Sequence, residues 1–379
     1  MQVAQIVLKS GDNIAVKLDR LKSLNPNLML VFGAFELLQD VAAPLASLFP
    51  SAIRAGCSTA GEISLEGVSD STCVVTALHF DAVQVVESST RLLGMDDSQA
   101  AGQRLGQQLP LTGLRAVLVL GQGVAINGSA LIAGMTEVLG HGISITGGLA
   151  GDAGAFKETW VLDDSGVHND HLVCVGLYGE TLSFSHGSFG GWSPFGPARK
   201  VTRCDHNVLF ELDGEPALDI YKRYLGEHAK DLPASGLLFP FAMLGSDHND
   251  VGLIRTILAV DEVAGSLTLA GDIDPAGYLR LMHASTDDLV DGAEAAAQAA
   301  KKALESNGQG LALLVSCVGR KLVMGGRVDE EVEAVGEVFG QGAVLAGFYS
   351  YGEISPFTRN LECKLHNQTM TITHISELS

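Results

Sequence analysis

Two glutamates stand at matching places in a phrase that the chain contains twice. Ala55–Ser64 reads AGCSTAGEIS and Ala346–Ser355 reads AGFYSYGEIS, so Glu62 and Glu353 each follow a glycine and precede Ile-Ser. A buried carboxylate there can take a ligand amine, or it can accept N–H bonds from its own turn. The glycines (Gly56 and Gly61 in the first copy) allow close backbone approach, and turn N–H groups can point at a ligand. Cys57 and Ser58 occupy the first turn, where the second copy carries Phe348 and Tyr349. Tyr349 and Tyr351 can supply aromatic walls or pack in the core. A third turn, Gly147-Gly148-Leu-Ala-Gly151-Asp152, also ends in an acid. Cys57 on a turn after a strand has the setting of a nucleophile. Its replacement by Phe348 and the lack of a His at telling spacing argue for a protein that is not an enzyme.

These turns need strands behind them. A block of helix, strand, helix, strand and Gly-rich turn recurs three times. In the first, the pattern predicts helices over 12–24 and 35–48 and a buried strand over 27–32. In the second, a helix opens at Asp96-Asp97, a strand covers 116–120 and a helix covers 128–139. In the third, a helix starts at Thr286 and stops at Asn307-Gly308. A strand over 311–316 and a helix from Asp329 follow. Strand pairs are expected at 73–86 and 254–270, and a hairpin over 160–178 turning at Asp163-Asp-Ser-Gly166. An interrupted or edge strand is expected at 236–244 because of Pro240. A strand covers 182–189 and a last one 365–375. The fold class is therefore α/β: two related lobes of mixed sheets covered by helices, built from repeated α-β-α-β blocks. The boundary is placed after SFGGWSPFGP, giving domains 1–200 and 201–379. A pocket is expected where Gly-rich turns converge.

At 379 residues, with 46% hydrophobic and 18% charged content, the chain can bury a large core. A net charge of −20 repels phosphate backbones and anionic lipids, which excludes nucleic acid and membrane surfaces as expected partners. The six Cys form no CxxC pair, and no stretch approaches the ~20 apolar residues of a membrane span. A reduced, cytoplasmic protein is expected, and a homo-oligomer stays open. Neither a P-loop, a complete GxGxxG, nor HExxH is present.

The ordered set GCSTAGEI, GGLAGD, SFGGWSPFGP, EPALDIY, SCVGR, GFYSYGEISP and HNQTM resembles the FIST family, which pairs an N-terminal with a C-terminal FIST domain in signal-transduction sensors. The resemblance covers residue 27 to the end. It implies a small ligand such as an amino acid. In a stand-alone bacterial branch of similar length it implies haem b, nitric oxide sensing and control of a histidine kinase. Haem requires an axial ligand and an apolar pocket. His186, His283 and His366 lie near apolar runs and are the candidates, one being expected. His168, His171 and His248 sit in surface loops and are unattractive for that role.

Overall fold

A computed structural model describes residues 1–302, 310–356 and 362–378. Three six-stranded mixed sheets form its body, and all three are built to one plan. The first runs Gln2–Leu8, Cys73–His79, Leu28–Gly33, Ile53–Ser58, Val161–Asp163, Gly166–His168. The second runs Gln84–Arg91, His171–Tyr178, Leu114–Gly121, Ser144–Leu149, Gly352–Pro356, Cys363–His366. The third runs Leu182–Phe189, Met370–Glu377, Gly310–Cys317, Ala343–Ser350, Glu62–Ser64, Gly67–Ser69. In each, the third and fourth strands are parallel, and the crossover between them is helical, with one α-helix in the first two sheets and two, Val318–Met324 and Val328–Phe339, in the third.

The last two strands of every sheet come from a different block. The hairpin after the first turn, at Glu62, joins the third sheet, with Glu62 opposite Phe348. The hairpin after the second turn joins the first sheet, with Val161 opposite Cys57. The hairpin after the third turn joins the second sheet, with Glu353 opposite Gly148. The three blocks thus close a ring by exchange. The inner faces of the three sheets share a core that includes Phe32, Leu118, Val175, Leu313 and Phe348.

The repeated Ala-Gly of the phrase has a packing cause. A Cβ on Gly56, Gly147 or Gly347 would overlap the carbonyl oxygen of Val31, Val119 or Leu314 on the adjacent parallel strand. The three positions are equivalent in the three sheets.

Helices Phe35–Leu48 and Gly128–Leu139 have the predicted bounds, and each lays an apolar stripe on its sheet. Those from Thr286 and Val328 also form. The expected stop at Asn307-Gly308 lies outside the described residues. The first helix is shorter than expected: Asn13 caps Ile14–Asp19 through Val16 N at 3.2 Å, and a 3-10 turn, Lys22–Leu24, ends at Asn25 with φ 49°.

Three strand expectations are corrected. Cys73–His79 and Gln84–Arg91 do not pair with each other; the chain changes sheets between them. The 160–178 segment does turn tightly at Asp163–Gly166, but His171–Tyr178 leaves for the second sheet. The run 365–375 is two strands in two sheets, broken where Gln368 takes φ 60°.

A fourth sheet with the helix Ala217–Leu225 is inserted in the third block, between Leu182–Phe189 and Thr286–Lys302. Its own core contains Leu209, Leu218, Tyr221, Phe241 and Leu267. The expected hairpin over 254–270 is found there as Ile257–Asp261 with Ser266–Leu269. Phe241–Leu244 is an interior strand; Pro240 precedes it and so removes no ladder donor. The strand Arg199–Asp205 runs across the boundary expected after residue 200.

Candidate functional site

The three Gly-rich turns meet, as expected, and bond to each other. Ala60 N donates to Tyr349 O and Tyr349 N to Gly61 O, both at 2.8 Å. Tyr351 N donates to Leu149 O at 3.1 Å, and Gly151 N to Ser58 O at 2.9 Å. Those N–H groups are therefore engaged in closing the ring, not aimed outward as anion donors, which corrects the expectation of a backbone nest.

Each glutamate of the phrase is a clamp on its own hairpin. Glu62 accepts from Thr59 Oγ1 at 2.5 Å, Thr72 N at 3.0 Å and Thr72 Oγ1 at 2.8 Å. Glu353 accepts from Ser350 Oγ at 2.9 Å, Thr369 N at 3.2 Å and Thr369 Oγ1 at 2.9 Å. The residues before the two threonines, Ser71 and Gln368, both take φ 60°. The geometry realises the turn-shaping reading of these acids.

Burial pushes Glu353 from 4.5 up to about 8, against its three hydrogen bonds and the Arg320 charge. Between those values the folded chain holds a proton that the unfolded chain has released. Stability therefore falls as pH rises through the window, by about 1.4 kcal/mol per unit at most. Glu353→Gln should flatten this slope while keeping the fold, because the Ser350 hydroxyl can rotate to accept from the new amide. Urea midpoints measured across the window check it. Glu62 is raised too, again mainly by burial, so a slope survives the single substitution.

A cleft of about 560 Å³ opens over two of the three turns. Ser58, Gly61, Glu62, Gly151 and Asp152 line it, and so does the Val318–Met324 helix through Val318, Lys321 and Leu322. Five acids face it: Glu36, Asp70, Glu158 and the turn acids Glu62 and Asp152. Lys321 is the cation of the wall. Its Nζ donates to Ala60 O at 2.8 Å, pairs with Asp70, and sits 5.4 Å from the Tyr349 ring centroid.

Asp152 is already held by its loop. Phe156 N, Lys157 N and Glu158 N donate to it at 2.8, 2.7 and 3.0 Å, and the Tyr351 phenol completes the set. Burial raises its carboxyl, but these donors outweigh that and hold it below the usual range.

The other expected site residues lie outside this cleft. Gly56, Gly147 and Gly148 are buried in strands, where their lack of Cβ permits close packing. Cys57 is fully buried beside Val161, and burial pushes its thiol well up, the setting of a core thiol. Tyr349 is fully buried with its hydroxyl on Glu331 at 2.5 Å, and Glu353 is fully buried. Tyr351 stacks on Phe156 and borders a second, smaller cavity of about 90 Å³ under the inserted sheet. Lys321, Glu36, Asp70 and Glu158 were not singled out by sequence. Only Lys321 carried a signal, as the residue after SCVGR.

Haem fits poorly. Neither His nor Cys, Met or Tyr lines the cleft, and of the ligating types only Met95 and Tyr351 reach the small cavity. His366 is buried with Nε2 3.0 Å from Ser355 O, and burial pushes it down to about 4. His283 is exposed at a strand end, edge-on to Phe195. None of the three lines either cavity, so no step is derived through haem.

No described helix is long and apolar enough to cross a membrane. A 96-residue stretch is 34% identical to an uncharacterized protein of Methanocaldococcus jannaschii, covering 25% of this chain and 19% of that protein. The chain thus spans about a fifth of that relative's length. Two solved structures of cyanuric acid hydrolase, one from A. caulinodans, are similar over 100% and 99% of this chain and 99% of theirs. Their identities are 9% and 10% and the TM-score is 0.37 for both. The FIST N domain profile matches residues 27–215 and the FIST C domain profile residues 217–356: the chain belongs to the FIST family, whose domains are signal-transduction sensor domains.

Proposed function

We propose that this chain senses a small, polar, amine-bearing metabolite, an amino acid being the simplest of that class, in the cleft over the first two turns. The observation that supports this is the charge of the wall: five carboxylates against one lysine that is itself paired. A ligand ammonium is stabilised there, and Glu36 and Glu158, exposed acids that Lys321 does not engage, can turn toward it. A carboxylate on the same ligand has Lys321 within the wall to meet. The cleft volume is in the range of small-molecule sites.

Occupancy acts on the ring of turns, because cleft residues Ser58, Ala60 and Gly151 also carry its closing hydrogen bonds. The signal then passes to a partner protein, for which the resemblance implies a histidine kinase. A thermal-shift panel of amino acids, polyamines and dicarboxylates tests the reading, since a ligand of the folded state raises the melting temperature. Amine-bearing compounds should raise it. Stabilisation by dicarboxylates alone would overturn the charge argument.

A further inference from the structure

We infer a binding site for a divalent transition metal, zinc being the best match, formed by Asp163, His168 and His171. One ligand atom from each lies within 4.8 Å of the other two. Zinc ligands about 2.0–2.1 Å from a tetrahedral ion are roughly 3.3 Å apart, so small side-chain movements close the set.

The hairpin places them. Asp163 ends one strand, Gly166 with φ 140° makes the turn, and His168 ends the return strand opposite Val161. His171 opens the next strand, which belongs to the second sheet. Its ring centroid is 4.0 Å from that of His168.

Asp163 is built as a ligand with one arm fixed. Its side chain is 1% exposed. Oδ1 accepts from Ser165 N at 2.7 Å, Ser165 Oγ at 2.6 Å and Gly166 N at 3.1 Å. Oδ2 is buried and has no hydrogen-bond partner, which is costly for a carboxylate oxygen unless a cation meets it. His168 Nε2 is 3.6 Å from Asp163 Oδ1 and 2.8 Å from Ser165 Oγ. His171 Nδ1 lies 3.0 Å from Asp170 Oδ1 but makes no hydrogen bond, so it is a second buried polar atom of the cluster without a partner. The imidazoles are 30% and 23% exposed, so an ion can enter from solvent.

Two imidazoles and one carboxylate select zinc, cobalt or a similar ion over magnesium or calcium, which prefer all-oxygen shells. The ion would staple a hairpin of the first sheet to a strand of the second. Asn169, between the two histidines, donates to cleft residue Glu158 at 2.7 Å, so the staple also steadies the cleft rim.

The test uses the tag-free full chain after chelator treatment, titrated with Co²⁺ and followed by its visible absorption, and with Zn²⁺ followed by calorimetry and melting temperature. One ion per chain, ligand-field bands of a low-coordinate Co²⁺ site and a raised melting temperature are expected. His168→Gln/His171→Gln, which alters partly exposed side chains, should bind at least tenfold more weakly and melt unchanged without metal. Equal uptake by wild type and variant would mean adventitious binding elsewhere and overturn the site, as would no uptake by wild type. Should the double variant prove misfolded, His171→Gln alone decides on the same readouts.

Discussion

Arg320→Met lowers the unfolding free energy by about 3–5 kcal/mol, the penalty for stripping one partner from a buried ion pair. Arg320 and Glu331 are both fully buried, and the guanidinium meets Glu331 Oε2 at 3.1 and 2.8 Å. Two further N–H groups donate to Gly190 O at 2.5 Å and Leu289 O at 2.7 Å, tying the third block to the approach of its inserted sheet. Glu331 also accepts from Ser316 Oγ and from the Tyr349 hydroxyl beneath the cleft. Methionine fills similar volume but leaves a carboxylate with two neutral donors and no cation. Arg320→Met/Glu331→Leu should recover part of the loss, because the charge is gone while the carbonyls stay unpaired. Urea unfolding of the three proteins reads both effects. A loss under about 1 kcal/mol for the single substitution would mean that the pair is solvated in solution.

Gly347→Ala costs about 3 kcal/mol or more, or prevents folding, since the added methyl meets a backbone oxygen that cannot rotate aside. Gly56→Ala and Gly147→Ala should behave alike, because the three sheets share the contact. Gly336→Ala is the matched control. It lies in the helix Val328–Phe339, and the nearest atom to its new Cβ is Leu345 Cδ1 at an ordinary 3.5 Å. Helix propensity then predicts a gain of about 0.5–1 kcal/mol. Similar urea midpoints for Gly347→Ala and wild type would contradict the close-packed ring.

Local periodicity carried much of this fold. Phe35–Leu48 was legible because Leu37, Leu38, Val41 and Leu45 recur on one face, and Leu182–Phe189 because it is a short run between turns. The exchange of hairpins was not legible. Nothing within 160–168 says that Val161 pairs with Cys57, a hundred residues away, rather than with its own block. The N-terminal strand Gln2–Leu8 went unread for a similar reason: its pairing with Cys73–His79 is long-range and its pattern is weak.

The duplicated phrase did mark where the blocks meet, but it marked architecture more than contact with a ligand. Its glycines permit sheet packing and its glutamates clamp hairpins. Ser58, Gly61 and Glu62 reach the cleft because the first turn happens to lie under the Val318–Met324 helix, while Tyr349 and Glu353 lie in the ring's interior. Glu36, Asp70, Glu158 and Lys321 stand on four distant segments, and only tertiary structure assembles their charge.

Binding of an amine in the acidic cleft is open to direct measurement. Calorimetric titration of the best-stabilising amino compound into wild type and into Glu36→Gln/Glu158→Gln tests it most directly. Both substitutions keep side-chain shape, and Glu158→Gln can still accept from Asn169. Binding in wild type at one per chain is expected, with at least a tenfold weaker dissociation constant in the variant, a loss of about 1.4 kcal/mol or more. Equal affinity in the two proteins, or no amine binding by wild type, would contradict it.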